Sequence, residues 1–430
     1  MTTVTTCDST AQSSQDQAAT DQVVNLTWEN LSYHVDTKGS DGKETKKTLV
    51  HRMSGTALGG RVLVIMGPSG AGKSTFLNAI TGKLHHTTNN LEGCCFLNNT
   101  VFTDRYRGLV SFVAQDDIMM AMDTPYEATY FACRVRLGLD AKESDNIVRD
   151  VIDRLHLTEC QNTVVGIPGL VKGISGGERK RANVATALVT NPSIVILDEP
   201  TTGLDSVNAL RVGQMLQELA KKDKRTVIAT VHSPSSELVE TFDDLLLLCE
   251  GHVVYHGPRE AAAEYFASLG YQVPPLTNPF EYFMELLQLP DEELGMLWRA
   301  WEDYLTTPAA RCNPCLMQVL GPITEREPSL EGRLDEKGSG WGVQLFELTK
   351  RSFRMYPRHP SAVFIRFLQT FVVAVIMALF YLRIPLDQNG VKDRLGVLHV
   401  VVINGMFSST MYGIDAYPSE RAVYLHGAIN

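Results

Sequence analysis

The nine residues Gly67-Pro-Ser-Gly-Ala-Gly-Lys-Ser-Thr75 constrain this chain more than any other stretch. They satisfy G-x-x-x-x-G-K-[ST] in the context that gives the pattern physical meaning. A short apolar run, Arg61-Val-Leu-Val-Ile-Met66, precedes them, and a helix-patterned stretch, Thr75–Leu84, follows. Gly67, Gly70 and Gly72, with Pro68, Ser69 and Ala71 between them, let the backbone curl so that several N–H groups converge on phosphate oxygens. The helix N-terminus adds a favourable potential there. Lys73 reaches β- and γ-phosphates, and Ser74, ahead of Thr75, offers a hydroxyl to Mg²⁺.

Two further apolar runs, Ile194-Val-Ile-Leu197 and Thr226-Val-Ile-Ala-Thr-Val231, read as buried strands. They alternate with helix-patterned stretches at Asp145–Leu155, Glu178–Val189 and Val207–Lys221, which predicts a mainly parallel sheet covered on both faces. Val23–Val35 reads as a strand, with a polar hairpin loop over Asp36–Lys47; Asp244–Gly257 reads as a terminal strand pair turning at Glu250-Gly251.

The run Ile194–Leu197 ends in Asp198-Glu199, and two acids at the end of a buried strand require a cation or a polar site. Asp198 suits a Mg²⁺ shell; Glu199 suits polarising an attacking water. A third element, Ile174-Ser-Gly-Gly-Glu-Arg-Lys-Arg181, places a hydroxyl and two glycines at the start of a basic helix, a second anion site. Two phosphate-binding termini but one phosphate loop imply two molecules sandwiching ATP.

The chain has 430 residues, 39 basic against 49 acidic, for a net charge of −10. That balance argues against a dedicated nucleic-acid binder. Eight scattered cysteines do not make a disulfide framework, and Cys312-Asn-Pro-Cys315 has no second pair nearby. Residues 1–22, rich in Thr, Ser and Gln and without an apolar core, read as a flexible tail rather than a signal peptide. A nucleotide-binding domain is expected over 23–304, then a Pro- and Gly-rich linker over 305–340. Trp341, Leu345 and Leu348 beside Lys350, Arg351, Arg354 and Arg358 suggest an amphipathic connecting helix over 341–360, lying at a membrane surface.

A partial membrane domain of about two spans is expected over 361–430. Phe367–Leu382 carries no charge and is bracketed by Arg366 and Arg383; Leu395–Ile414 is a second uncharged run. Five of the six Lys and Arg between Leu348 and Leu386 precede the first run, which puts its N-terminal side in the cytosol.

Taken together, Gly67–Thr75, Gln115, Ser175-Gly-Gly-Glu178, Ile194–Glu199, Gly203-Leu-Asp205 and His232 occur in the order and spacing of ABC-transporter nucleotide-binding domains. Val113-Ala-Gln-Asp-Asp117, Glu178-Arg-Lys-Arg181, Thr201-Thr-Gly-Leu-Asp-Ser206 and Asn278-Pro279 resemble the G (White, or pleiotropic drug resistance) subfamily. The resemblance implies an α/β P-loop ATPase, an ABC-type nucleotide-binding domain with a helical subdomain, followed by an α-helical membrane segment. By the same resemblance, Gln115 completes the Mg²⁺ and water shell with Ser74 and Asp198. Ser175, Gly176, Gly177 and Glu178 face the partner's ATP, Asp205 lies at the dimer seam, Glu199 is the catalytic carboxylate and His232 senses the γ-phosphate. Val35 stands where the family's adenine-stacking aromatic belongs, with Tyr33 two residues early. The implied protein is an ATP-hydrolysing half-transporter in a bilayer, paired with a second half-transporter and moving an unknown substrate. It reads as truncated after a second span. Two alternatives stay open, a non-transporting fragment that dimerises with complete half-transporters and a soluble ABC ATPase.

Overall fold

The computed structural model describes residues 23–38, 44–84, 90–117, 119–167, 171–232, 234–320, 339–358, 360–381, 391–392 and 394–406. The tail expected over 1–22 lies outside the described residues, as do 321–338 of the expected linker.

Strands β1 (Leu26–Lys38), β2 (Glu44–Ala57), β4 (Leu91–Leu97) and β5 (Thr100–Val101) form an antiparallel sheet in the order β2-β1-β4-β5. The second sheet holds β3 (Val62–Met66), β6 (Val110–Val113), β7 (Ile194–Leu197), β8 (Thr226–Thr230), β9 (Asp244–Cys249) and β10 (His252–Pro258), in the order β10-β9-β3-β8-β7-β6. Its pairings are parallel except β9 with β10, which turn back through Glu250 (φ 48°) and Gly251 (φ 79°). Two successive positive φ angles suit a two-residue hairpin that follows the strands' twist. Every residue of β3, β6, β7, β8 and β9 is buried, which accounts for apolar runs without alternation.

Helix α1 (Lys73–Ile80) packs on β1 and β2 of the antiparallel sheet and α5 (Ser206–Lys221) on β3 and β8 of the parallel one, while α2 (Pro125–Leu137), α3 (Ala141–Arg154) and α4 (Gly176–Leu188) form a helical group beside it. The N-terminus of α2 carries a reciprocal cap: the Thr124 hydroxyl accepts from Glu127 N–H, and the Glu127 carboxylate accepts from Thr124 N–H.

The segment from 305 is not a linker throughout. Helix α6 (Ser236–Val239) and α7 (Ala262–Ser268) lead to α8 (Pro279–Leu286), capped by Asn278, and α9 (Asp291–Thr306). Helices α10 (Pro308–Cys312) and α11 (Met317–Leu320) then fold back on the antiparallel sheet. Asn313 Nδ2 donates to His256 O at 2.8 Å, Thr56 N–H donates to Cys315 O at 2.9 Å, and Cys315 and Leu316 are buried. Proline here starts a helix at its first turn, where no N–H is needed, instead of loosening the chain.

Helix α12 (Trp341–Met355) is a helix as expected, but its arginines Arg351 and Arg354, and Arg358 just beyond it, turn to carboxylates of the ATPase, while Lys350 is exposed. Arg351 Nε lies 2.9 Å from Asp123 Oδ2, Arg354 Nε 3.3 Å from Glu127 Oε1 and Arg358 Nη2 2.9 Å from Glu127 Oε1; Arg134 of α2 pairs with Glu347 at 3.0 Å. Asp123 is fully buried, and a buried carboxylate without a cation is costly, so the arginines turn inward. Burial alone would raise the Glu127 carboxyl; the Arg358 hydrogen bond, the Thr124 N–H and the Arg354 charge hold it below the ordinary range. Trp341, Phe346 and Phe353 remain on the exposed side.

Helix α13 (Pro360–Phe380) follows. From Phe367 to its end it covers about 21 Å, against roughly 30 Å of hydrocarbon. Among the described residues no helix is long and apolar enough to cross a membrane. The second expected run is helical over 394–406, and 407–430 lie outside the described residues.

Removing one arginine should loosen α12 without disturbing the sheet. Arg351→Ala is expected to weaken its docking by about 3 kcal/mol. Amide exchange across Trp341–Met355 should then quicken on the order of a hundredfold, with Lys73–Ile80 unchanged; equal protection in both proteins would refute the ion-pair account.

Candidate nucleotide site

Gly67 opens the loop after β3, and a Cβ there would stand 2.2 Å from Leu248 O, so only glycine fits against β9. At Gly72, the N-cap of α1, φ is 94° and a Cβ would meet Leu49 O at 2.9 Å. Loop and helix start are thus pressed between β2 and β9. Ala71 O accepts from Gly251 N–H at 3.0 Å, which ties the loop to the terminal hairpin. Ser69, Gly70 and Ser74 face outward, while Lys73 is buried. Lys73 Nζ donates to Gly67 O at 2.8 Å and Pro68 O at 3.0 Å. Burial pulls this ammonium below its ordinary value, against the pull of Glu199 and Asp198.

The two acids at the end of β7 are held by one hydroxyl. Thr230 Oγ1, fully buried at the end of β8, donates to Asp198 Oδ1 at 2.7 Å and accepts from Glu199 N–H at 2.7 Å. Glu199 has φ 46°, a left-handed conformation that costs a non-glycine residue about 1 kcal/mol; the bond from its N–H offsets this. Its Oε2 accepts from Gln115 Nε2 and from Thr202 Oγ1, each at 2.9 Å. With Oε2 accepting two hydrogen bonds, Oε1 has no hydrogen-bond partner among the described residues. His232, just past β8, is exposed.

Ser175 caps α4 with Glu178 in a second reciprocal pair: Glu178 N–H donates to Ser175 Oγ at 3.3 Å, and Ser175 N–H donates to Glu178 Oε2 at 2.7 Å. Both Ser175 and Gly176 are exposed. The first N–H groups of a helix have no intrahelical acceptor, so that of Gly176 can meet an anion, whereas Gly177 is buried. Across a cleft of about 640 Å³ lie Thr202, Gly203 and Leu204. Asp205 ends that loop, exposed and acidic: Asn208 Nδ2 donates to its Oδ1 at 2.5 Å and holds its carboxyl below the ordinary range.

The sequence-derived residues therefore fall into two groups. Gly67–Thr75, Gln115, Asp198, Glu199 and His232 gather at one edge of the parallel sheet. Gly176 faces Thr202, Gly203 and Leu204 across the cleft, and among the described residues no hydrogen bond or ion pair joins Ser175–Glu178 or Asp205 to Lys73. Thr202 falls within Thr201-Thr-Gly-Leu-Asp-Ser206 and Thr230 within the run Thr226–Val231, but no spacing marks either hydroxyl as a partner of the acids. Tyr33 lies in β1 between Val50 and Leu91, half-buried.

Comparison with known proteins bears on this arrangement. Residues 50–202 match the ABC transporter family profile, and residues 232–292 and 343–427 match ABC-2 type transporter profiles. "Protein white" of Drosophila melanogaster is 33% identical over 397 residues, which are 89% of this chain and 56% of that protein. "Broad substrate specificity ATP-binding cassette transporter ABCG2" of Mus musculus is 29% identical over 94% of this chain and 65% of its own length. Among solved structures, cbiO1 from Clostridium perfringens, part of the ABC transporter complex cbiONQ, aligns with a TM-score of 0.46 at 24% identity, over 58% of this chain and 92% of that one.

The chain is an ABC transporter nucleotide-binding domain joined to ABC-2 type membrane-domain sequence. Its homologues lie in the G (White) subfamily, and it spans little more than half the length of protein white. Residues 232–292 match a transporter profile, yet β9 and β10 within them complete the ATPase sheet.

The Thr230 hydroxyl makes a clean test of the acid pair. Thr230→Val keeps the shape but strands the Glu199 N–H and an Asp198 oxygen, and should cost about 2 kcal/mol of stability in urea denaturation; Thr230→Ser should stay within about 0.5 kcal/mol.

Proposed function

We propose that this chain binds and hydrolyses ATP as one half of a dimeric membrane transporter. The observation that carries the reading is the Glu199 carboxylate, fixed on one oxygen by Gln115 and Thr202 and without a hydrogen-bond partner on the other among the described residues, beside the loop that bears Lys73. A phosphate entering the loop would take the place of Gly67 O and Pro68 O as the partner of Lys73 Nζ, and the ammonium would stabilise charge building on the γ-phosphate. Glu199 Oε1 would accept a proton from, or orient, the attacking water. His232, exposed at the same sheet edge, would contact the γ-phosphate from the far side.

Ser74 hydroxyl, Gln115 amide oxygen and Asp198 carboxylate form a set of hard oxygen donors that suits Mg²⁺. Among the described residues no group of three or more His, Cys, Asp or Glu could hold a metal by itself; phosphate oxygens would complete the shell. The ion would neutralise phosphate charge, and Thr230, by fixing Asp198, would aim one of its ligands.

The separation of Ser175–Glu178 from Lys73 supports a composite site. A second chain, identical or different, would present the α4 tip to this chain's γ-phosphate, with Asp205 at the seam. Nucleotide closure would pull on the helical group, and α12, tied to α2 through Asp123 and Glu127, would carry that movement to the membrane segment. The basic excess before Phe367 supports a nucleotide domain on the cytosolic side. The transported substrate is left unnamed.

Glu199→Gln in the full chain should leave MgATP affinity within about threefold and lower phosphate release at least a hundredfold. Unchanged turnover would remove Glu199 from its role.

A further inference from the structure

A buried ammonium crosses from the helix that begins at Ser175 to the loop that carries Gln115, and the ATPase reading gives it no task. Lys180, in the second turn of α4, is 3% exposed. Its Nζ donates to the main-chain oxygen of Gln115 at 2.8 Å and lies 2.8 Å from Asp117 Oδ1; Asn183 of the same helix donates to that Oδ1 at 3.2 Å. The Gln115 so held reaches Glu199 Oε2 with its own side chain at 2.9 Å. An unbroken line of contacts thus runs from the capped tip of α4, through Lys180 and Gln115, to the carboxylate beside the phosphate loop.

The backbone around that line fixes how it can move. β6 ends at Val113 in the core sheet, and α2 begins at Pro125, so the segment through Gln115 and Asp117 straps the sheet to the helical group. Helix α4 has 13 residues and a reciprocal N-terminal cap, and Lys180 lies within two turns of Ser175. Displacement of the tip therefore carries the ammonium with it. A lysine suits the task because it offers several donors at the end of a reach that spans two elements, and burial keeps its pairing with Asp117 unscreened.

We infer that Lys180 is a positioning residue: when the tip of α4 engages a phosphate held by the partner chain, Lys180 shifts the Gln115 main chain and so sets the Glu199 carboxylate of its own chain. The inference rests on the dimeric ATPase reading above. It makes each chain's hydrolysis site answer to the nucleotide its own α4 touches, which lies in the other chain's loop.

The test is phosphate release by the full chain, purified in detergent, over a range of MgATP. Turnover in the wild-type chain that Glu199→Gln abolishes tests the ATPase reading by itself; no wild-type turnover overturns both. Lys180→Met, of similar length but without donors, should lower kcat about tenfold or more and leave KM within about threefold. Lys180→Arg should recover at least about half of the lost kcat. Because Lys180 acts through Gln115, adding Lys180→Met to Gln115→Ala should cost less than about threefold further. Should Lys180→Met fold poorly, Lys180→Gln, which keeps a donor but no charge, is measured in both backgrounds with the same non-additivity expected. Wild-type kcat in Lys180→Met, equal losses in the two backgrounds, or no recovery with arginine would each overturn the inference.

Discussion

Parallel strands finish at the same edge of a sheet, and the chemistry of this protein follows from that constraint. β3, β6, β7 and β8 run side by side in one direction, so the segments leaving them emerge together: the glycine loop, Gln115, Asp198-Glu199 and His232. They are far apart in sequence, yet the parallel strands bring them to one edge of the sheet. These strands are buried on both faces, as their near-continuous apolar runs reflect.

Within that edge, small hydroxyls do the arranging. Thr230 divides its bonds between the side chain of one acid and the backbone of the next, and Thr202 loads a single oxygen of Glu199. A carboxylate that is saturated on one side has a defined open side, which is the property a water-activating group needs. The glycine-bearing tip of α4 sits elsewhere and spends its own Ser175 and Glu178 on capping itself.

What the sequence reveals is whatever is encoded by spacing. Gly67–Thr75 and the acids after Ile194–Leu197 can be read because backbone geometry dictates which residue types stand at fixed offsets. Helix α2 gives little periodic signal, since Pro125, Thr129 and Cys133 are buried among largely half-buried neighbours; its sign is the capping box Thr124-Pro-Tyr-Glu127. Lys180 looks like part of a solvated basic face, and only the fold reveals that Gln115 and Asp117 lie opposite it. Residues 305–320 mislead for a different reason: composition counts proline and glycine but does not see Asn313 docked on His256. The arginines of α12 mislead again, because basic residues near an apolar run look alike whether they meet phosphate headgroups or buried carboxylates.

The way α12 is fastened has a consequence for handling the molecule. Its grip on the ATPase is electrostatic and largely shielded from water, whereas the side it turns outward, with Trp341, Phe346 and Phe353, is greasy. Surfactants dissolve greasy contacts and leave sheltered charge pairs alone. A non-ionic surfactant would thus cover the outward surface of α12 while its ion pairs to Asp123 and Arg134 stayed closed.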